Sequence, residues 1–187
     1  MPSGEIQTDA IVRHALGEGK EVFVPYLFKN PNEAAASAGE APQRIMDMVK
    51  LKDLKDYEGL ERDSWGIPSI NSGTVKGRER ILESKGRDAD ELGLDLMLMP
   101  GVAFDVEEYT RVRRLGHGRG FYDYFLSRYE QRFGKRQRLP RFGLALEEQF
   151  LGRGEELAVP VGEQDHFVDC VLVGDGSIYG CSTPLMP

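Results

Sequence analysis

Cysteine is scarce in this chain. There are two, Cys170 and Cys181, and neither belongs to a Cys-x-x-Cys pair. With three scattered histidines they complete no zinc-binding pattern. Two free thiols in a reducing cytosol are the expected state, so a cytoplasmic location is expected. There is no uninterrupted apolar run of the roughly 18 residues that would suggest a membrane span. Residues 1–8 have no basic stretch and no apolar stretch, so no signal peptide is expected. Lys and Arg number 24 against 31 Asp and Glu, a formal charge of −7. That balance argues against general binding to nucleic acid or an anionic membrane, although a local basic cluster can still hold a phosphate. No internal repeat divides the 187 residues, which suit a single domain over 1–187.

What is present is an ordinary globular composition, 40% hydrophobic and 29% charged. The spacing predicts a helix over Thr8–Leu16, with Ile11, Val12, Ala15 and Leu16 on one face and Gly19 as its stop. Val22–Pro25 reads as a short buried strand. Residues 29–43 are small and polar and predict a mobile surface loop. Ile45–Val49 alternates like a strand. Residues 50–77 are rich in turns, and Arg78–Ser84 predicts a short helix. Leu94–Pro100 is almost continuously apolar and predicts a central strand covered on both faces. Residues 102–110 then read as a loop. Phe121–Phe133 predicts a helix with Phe125, Leu126 and Tyr129 turned to the core. Phe142–Leu146 and Phe167–Val173 predict two further strands. Strands alternating with helices give an α/β class with a mostly parallel sheet.

The informative block lies between Leu94 and Tyr129. After the strand and loop comes a basic run with Arg111, Arg113 and Arg114. Three glycines follow at alternate positions, Gly116, Gly118 and Gly120, and a helix begins immediately after them. Glycine lets the backbone take positive φ and approach a ligand closely. The free N–H groups of a helix N-terminus favour an anion. Arg114 and Arg119 add charge-assisted donors. Asp123 in the first turn can coordinate Mg²⁺, which prefers carboxylate and phosphate oxygen. No Gly-Lys-Ser/Thr follows, so this is not a Walker A loop, and the glycine spacing does not fit the dinucleotide fingerprint. The spacing alone leaves a phosphate cradle and a simple strand-to-helix turn both open.

Met99–Asp105 followed by Arg114–Asp123 resembles the signature of the 5-formyltetrahydrofolate cyclo-ligase family. Further matches run in order along the chain: Glu5 with Thr8, Phe23–Tyr26, Trp65–Pro68, Leu144–Leu146 with Glu148 and Gln149, Val159–Pro160, Asp165, and Val168–Asp169. The resemblance implies a three-layer α/β/α fold of the NagB/RpiA/CoA-transferase type. It implies ATP-dependent closure of 5-formyltetrahydrofolate to 5,10-methenyltetrahydrofolate, with ATP and Mg²⁺ as cofactors. Carried over by position, Arg114, Leu115, Gly116, His117, Gly118, Arg119, Gly120, Phe121 and Tyr122 would wrap the ATP phosphates. Of these, Arg114, His117, Arg119 and Tyr122 would be catalytic, and His117 to Phe121 would also face the folate. Glu5, Tyr26 and Trp65 would contact the folate, and Asp123 and Asp165 would hold Mg²⁺. Phe121 stands where the family usually has Tyr. The family's basic N-terminal helix and first strand are expected to be absent here. That leaves an exposed sheet edge and a monomer or weak homo-oligomer, with a folate- or nucleotide-binding protein without turnover as the alternative.

Each of these residues also has an ordinary reading. His117 can be a loop residue, Asp123 a partner for the helix dipole, and Trp65 a core aromatic. Glu5 can be a carboxylate beside a helix start, and Asp165 a solvated loop carboxylate. A phosphosugar enzyme on a similar scaffold would need a carboxylate–lysine pair that the sequence does not identify.

Overall fold

The computed structural model describes residues 6–63, 66–83, 93–107, 111–134, 138–152 and 158–181. Helix α1 (Asp9–Gly17) opens these residues and has no fully buried residue. It is tied to the body by Asp9, which accepts from Arg13 Nε at 2.8 Å and from Tyr57 Oη at 3.1 Å. Strand β1 (Phe23–Lys29) follows and pairs antiparallel with β2 (Arg44–Lys50), Phe23 opposite Lys50 and Lys29 opposite Arg44. The strand runs on through Pro25, which is exposed and has no N–H to place in a ladder, as suits an edge.

Between these strands, residues 29–43 hold a short helix, α2 (Glu33–Ser37), where the sequence suggested only a loop. Asn32 caps it by accepting from Ala35 N at 3.2 Å, and buried Asn30 donates to Pro42 O at 2.9 Å. Helix α3 (Leu54–Glu58) is capped by Asp53, which accepts from Asp56 N at 2.7 Å. Strands β3 (Glu61–Arg62) and β4 (Pro68–Ser69) form a small antiparallel pair.

The short helix expected over Arg78–Ser84 is not formed at residues 78–83. Arg80 bridges antiparallel to Val49, and Ile81–Glu83 form a turn. Two main-chain bonds explain this: Lys50 N to Glu79 O and Ile81 N to Met48 O, each 3.0 Å. Extended pairing with β2 thus takes the groups that a helix would use internally.

The expected loop over 102–110 is largely strand. β5 (Met97–Pro100) leads into an antiparallel pair, β6 (Ala103–Glu107) and β7 (Arg111–Leu115). Helix α4 (Phe121–Phe133) follows, then β8 (Arg141–Ala145), β9 (Cys170–Val173) and β10 (Ile178–Tyr179). The main sheet has the order β10-β9-β8-β5, with β5, β8 and β9 parallel and β10 antiparallel. Among the described residues β5 therefore sits at an edge, not at the centre, although Met97 and Met99 are buried. The class is α/β with a mixed sheet and few helices.

The core joins Met46 and Met48 of β2, Met97 and Met99 of β5, and Phe125, Leu126 and Tyr129 of α4. As expected, these last three form the buried face of the helix, and Tyr129 Oη accepts from Leu94 N at 2.8 Å. Phe104 is the centrepiece. A Cβ at Gly101 would lie 2.5 Å from its ring, and one at Gly143 would lie 2.6 Å away. Both glycines are needed for close approach, so that a fully buried aromatic ring can pack against β8 and the end of β5.

Candidate functional site

The basic run is on a strand, and a strand alternates its side chains between two faces. Arg111 and Arg113 therefore fall on one face of β7, and Val112 and Arg114 on the other. Arg113 meets Asp105, its register partner, through two bonds of 2.7 and 2.9 Å. Arg111 is exposed, with its guanidinium 3.7 Å from the centre of the Phe167 ring. Arg114, opposite Phe104, is driven inward with its side chain 4% exposed.

A buried guanidinium needs a counter-ion. Asp123 supplies it from the first turn of α4, its Oδ2 accepting from Arg114 Nη2 at 2.8 Å. Arg114 Nη1 donates to Pro100 O at 3.2 Å, and the guanidinium lies 5.5 Å from the Tyr122 ring centre. Asp123 Oδ1 accepts from His166 N at 2.9 Å, with His166 Nδ1 at 3.6 Å. Burial alone would push the Asp123 carboxyl up. The His166 contacts and the Arg114 charge outweigh burial and hold it below the usual carboxylate value. Asp123 thus joins β7, the start of α4 and the segment around His166.

The three glycines divide by task. A Cβ at Gly116 would meet Arg114 Nη1 at 3.0 Å, so this glycine makes room for the buried arginine. Gly118 and Gly120 have φ of 77° and 60°, with nothing within 4 Å of a Cβ at either position. Their backbone is turned for the loop and their open sides face free space. Gly120 is the N-cap of α4 and contributes no side-chain cap, so the first-turn N–H groups have no side-chain acceptor at that position. His117 and Arg119 are exposed on this loop, and Leu115, Phe121 and Tyr122 are half-buried beside it.

Asp165 is exposed, and its Oδ2 accepts from Gly162 N at 2.7 Å. It precedes His166, whose backbone N–H donates to Asp123. An open groove of about 690 Å³ lies beside Asp165, lined also by His166, Phe167, Arg111, Arg138 and Arg141 among others, but by no residue of the glycine loop and not by Asp123. That is room enough for a small-molecule ligand. Tyr26 lies on β1, stacked on Phe28 with ring centres 6.0 Å apart. Glu5 and Trp65 lie outside the described residues.

Two contributors were not singled out as site residues by the sequence. His166 was missed, although its place after Asp165 was a usable signal. Gln149 was noted only as a motif position. Its Nε2 donates to Gly101 O at 3.0 Å and its Oε1 accepts from Leu146 N at 2.9 Å, so it clamps the carboxyl ends of β5 and β8 together. Ligands in open α/β sheets bind at that edge. Among the described residues, no group of three or more His, Cys, Asp or Glu is placed to hold a metal ion. No helix among them is long and apolar enough to cross a membrane.

Residues 1–174 match a family model described as the 5-formyltetrahydrofolate cyclo-ligase family. Curated relatives include a probable 5-formyltetrahydrofolate cyclo-ligase of Caenorhabditis elegans, 36% identical over 91% of this chain and 68% of the relative. The 5-formyltetrahydrofolate cyclo-ligase of Mus musculus is 31% identical, again over 91% and 68%. That of Saccharomyces cerevisiae is 28% identical over 96% of this chain and 74% of its own length.

Proposed function

Because the chain belongs to the 5-formyltetrahydrofolate cyclo-ligase family, we propose that it closes 5-formyltetrahydrofolate to 5,10-methenyltetrahydrofolate at the expense of ATP. The observation that carries this reading is the uncapped α4 N-terminus behind Gly118 and Gly120, a backbone cradle open to solvent. Such a cradle suits a polyphosphate. The chemistry calls for one. A formyl oxygen on an amide-like nitrogen is a poor leaving group. Transfer of the terminal phosphoryl group to that oxygen leaves ADP and an activated iminium-type phosphate. The folate N10 then attacks the formyl carbon, its N–H proton passes to the departing phosphate, and the carbon–oxygen bond breaks to release phosphate. Catalysis of this kind is mostly positioning and charge stabilisation.

In this reading the backbone from Leu115 to Tyr122 holds the phosphates, with Arg119 and His117 as the exposed polar side chains. Arg114 acts from beneath, by fixing the loop and Asp123. His117 to Phe121 also face the folate, with Tyr26, Glu5 and Trp65 as its further contacts. Mg²⁺ commonly binds through one or two carboxylates plus phosphate oxygens, without an all-protein cage. Asp165, exposed, and the outer lone pairs of Asp123 fit that habit. When bound, the ion would neutralise phosphate charge. The parallel run β5-β8-β9 with α4 supports a three-layer fold of the NagB/RpiA type as part of the same proposal. A cytoplasmic location also remains a proposal; a 32% identical relative of Arabidopsis thaliana is named mitochondrial.

The test is incubation of the folded chain with 5-formyltetrahydrofolate and Mg·ATP. A rise in methenyl absorbance matched by ADP is expected. No product from well-folded protein at high concentration refutes turnover. One observation favours a second reading: both Asp123 oxygens already have protein partners. A chain in which Asp123 never turns to a metal would bind folate or nucleotide without turnover. Calorimetric binding without ADP release would select it.

A further inference from the structure

Amide groups stand in series across the rim of the site. The Leu146 N–H donates to Gln149 Oε1 at 2.9 Å, and Gln149 Nε2 donates to Gly101 O at 3.0 Å. The Gly101 carbonyl and the Val102 N–H belong to one planar trans peptide, so they point in opposite directions. That N–H donates to Leu115 O at 2.7 Å. Leu115 ends β7, and its carbonyl shares a peptide with the Gly116 N–H, the first of the glycine loop. The Gly116 N–H therefore points away from β6, and no described residue accepts from it. Every donor in the series runs the same way, from Leu146 toward the loop. Hydrogen bonds in such a chain polarise one another, so the positive end falls on the Gly116 N–H. That is the sign an anion requires.

We infer that Gln149 is a positioning residue for the glycine loop: through these two peptides it orients and polarises the Gly116 N–H that meets the phosphates. The inference rests on the reading of this loop as the cradle for ATP. A side chain is needed here because position 101 has to be glycine, since a Cβ there would lie 2.5 Å from the Phe104 ring. Glycine leaves the peptide plane that follows it less restrained than other residues do. Gln149 supplies the missing restraint, and it acts through the main chain without touching a ligand. Only an amide serves. An ionised carboxylate can still accept from Leu146 N, but it offers Gly101 O no N–H. It would also set negative charge at the head of the series and oppose the polarity of every bond after it.

The test compares Gln149→Glu and Gln149→Met with the wild type, each as the full chain. Gln149 is half-buried, so both variants are expected to fold. Gln149→Met removes both bonds at similar length, and Gln149→Glu keeps the acceptor for Leu146. The first readout is the amide nitrogen NMR shifts of Val102 and Gly116 in the unliganded protein. Each nitrogen lies across a peptide from one of the accepting carbonyls, so it reports the bond made there. Both shifts are expected to move in both variants. Movement at Val102 alone means that Gln149 only clamps the strands, and overturns the inference. The second readout is calorimetric binding of a non-hydrolysable Mg·ATP analogue, beside that of 5-formyltetrahydrofolate. Affinity for the nucleotide should fall about tenfold, as spoiling one bond to a charged group predicts, with folate affinity little changed. Equal losses for the two ligands, or none for the nucleotide, also overturn the inference. A wild type that binds no nucleotide refutes the cradle reading itself, and the role of Gln149 falls with it.

Discussion

Replacing Asp123 by Ala is expected to damage the fold before it reports on chemistry. The Arg114 side chain is 4% exposed and that of Asp123 12%. Their 2.8 Å contact is the only charged partner that Arg114 has among its described hydrogen bonds, the other acceptor being the Pro100 carbonyl. Removing one member of a buried pair costs about 3–5 kcal/mol, because the remaining charge is left desolvated and uncompensated. The His166 N–H loses its acceptor in the same step. For a chain of this size such a loss lowers the melting temperature by roughly 10 °C. Asp123→Asn keeps an oxygen for one donor but removes the charge and sets an amide NH2 against the other donor, so a loss of about 1–3 kcal/mol is expected. Replacing both residues with apolar side chains, as in Arg114→Met with Asp123→Leu, should cost less than Asp123→Ala alone. The assay is urea and thermal unfolding followed by circular dichroism, completed as a double-mutant cycle. If Asp123→Ala stays within about 0.5 kcal/mol of the wild type, the reasoning from a buried pair is wrong. The sign of the pH effect follows from the same contacts. The folded carboxyl is held below its ordinary value of 3.8, so its contribution is fully present above that value and is lost as pH falls through the folded value. Unfolding curves at decreasing pH should therefore show a shallower loss for Asp123→Asn than for the wild type.

Gly143→Ala would push a methyl group into the Phe104 ring. A loss of about 1–3 kcal/mol in chemical unfolding is expected, and Phe104→Leu in the same chain should recover part of it. Gly120→Ala meets open space but a left-handed φ of 60°. Its stability cost should be only about 1 kcal/mol, while methenyl formation under Mg·ATP falls much further; equal small effects on both would remove the loop from the active site. Arg78 holds Asp56 of α3 through bonds of 2.5 and 2.6 Å and also reaches Lys50 O. Asp56→Ala should cost about 1–3 kcal/mol in thermal unfolding, less than an enclosed pair because water reaches the carboxylate.

Legibility in the sequence followed the type of signal. The 3.6-residue period of α4 is strong, and its buried face at Phe125, Leu126 and Tyr129 was readable. So were the apolar strands around Ile45, Leu98, Leu144 and Val171, to within a few residues. The segment around Arg111 was not readable, because arginines at positions 111, 113 and 114 look like a solvated loop. Only pairing with β6 shows that period 2 governs there, and that Arg114 shares the core face with Val112. The Arg114–Asp123 pair is equally hidden, since nothing in either residue announces burial. The helix expected over Arg78–Ser84 failed at residues 78–83 because its local propensity was overridden by main-chain bonds to β2. The glycines were recognised as one motif. Space around each shows that Gly116 serves a neighbouring side chain, whereas Gly118 and Gly120 serve the loop.

The Gln149 clamp bears on the order in which the molecule assembles. Its partner at Gly101 is 48 residues away along the chain. Closing a loop of that length costs about 3 kcal/mol of chain entropy before any contact repays it. The rim of the site is therefore secured only after β8 and Gln149 have been made. On the ribosome, the glycine loop and α4 emerge while β8 and Gln149 are still to be made, and until then β5 lacks the parallel neighbour it has among the described residues. Secondary structure should accordingly precede a competent binding edge during synthesis, and the interval between them is when a nascent chain is most exposed to strand-to-strand misassociation.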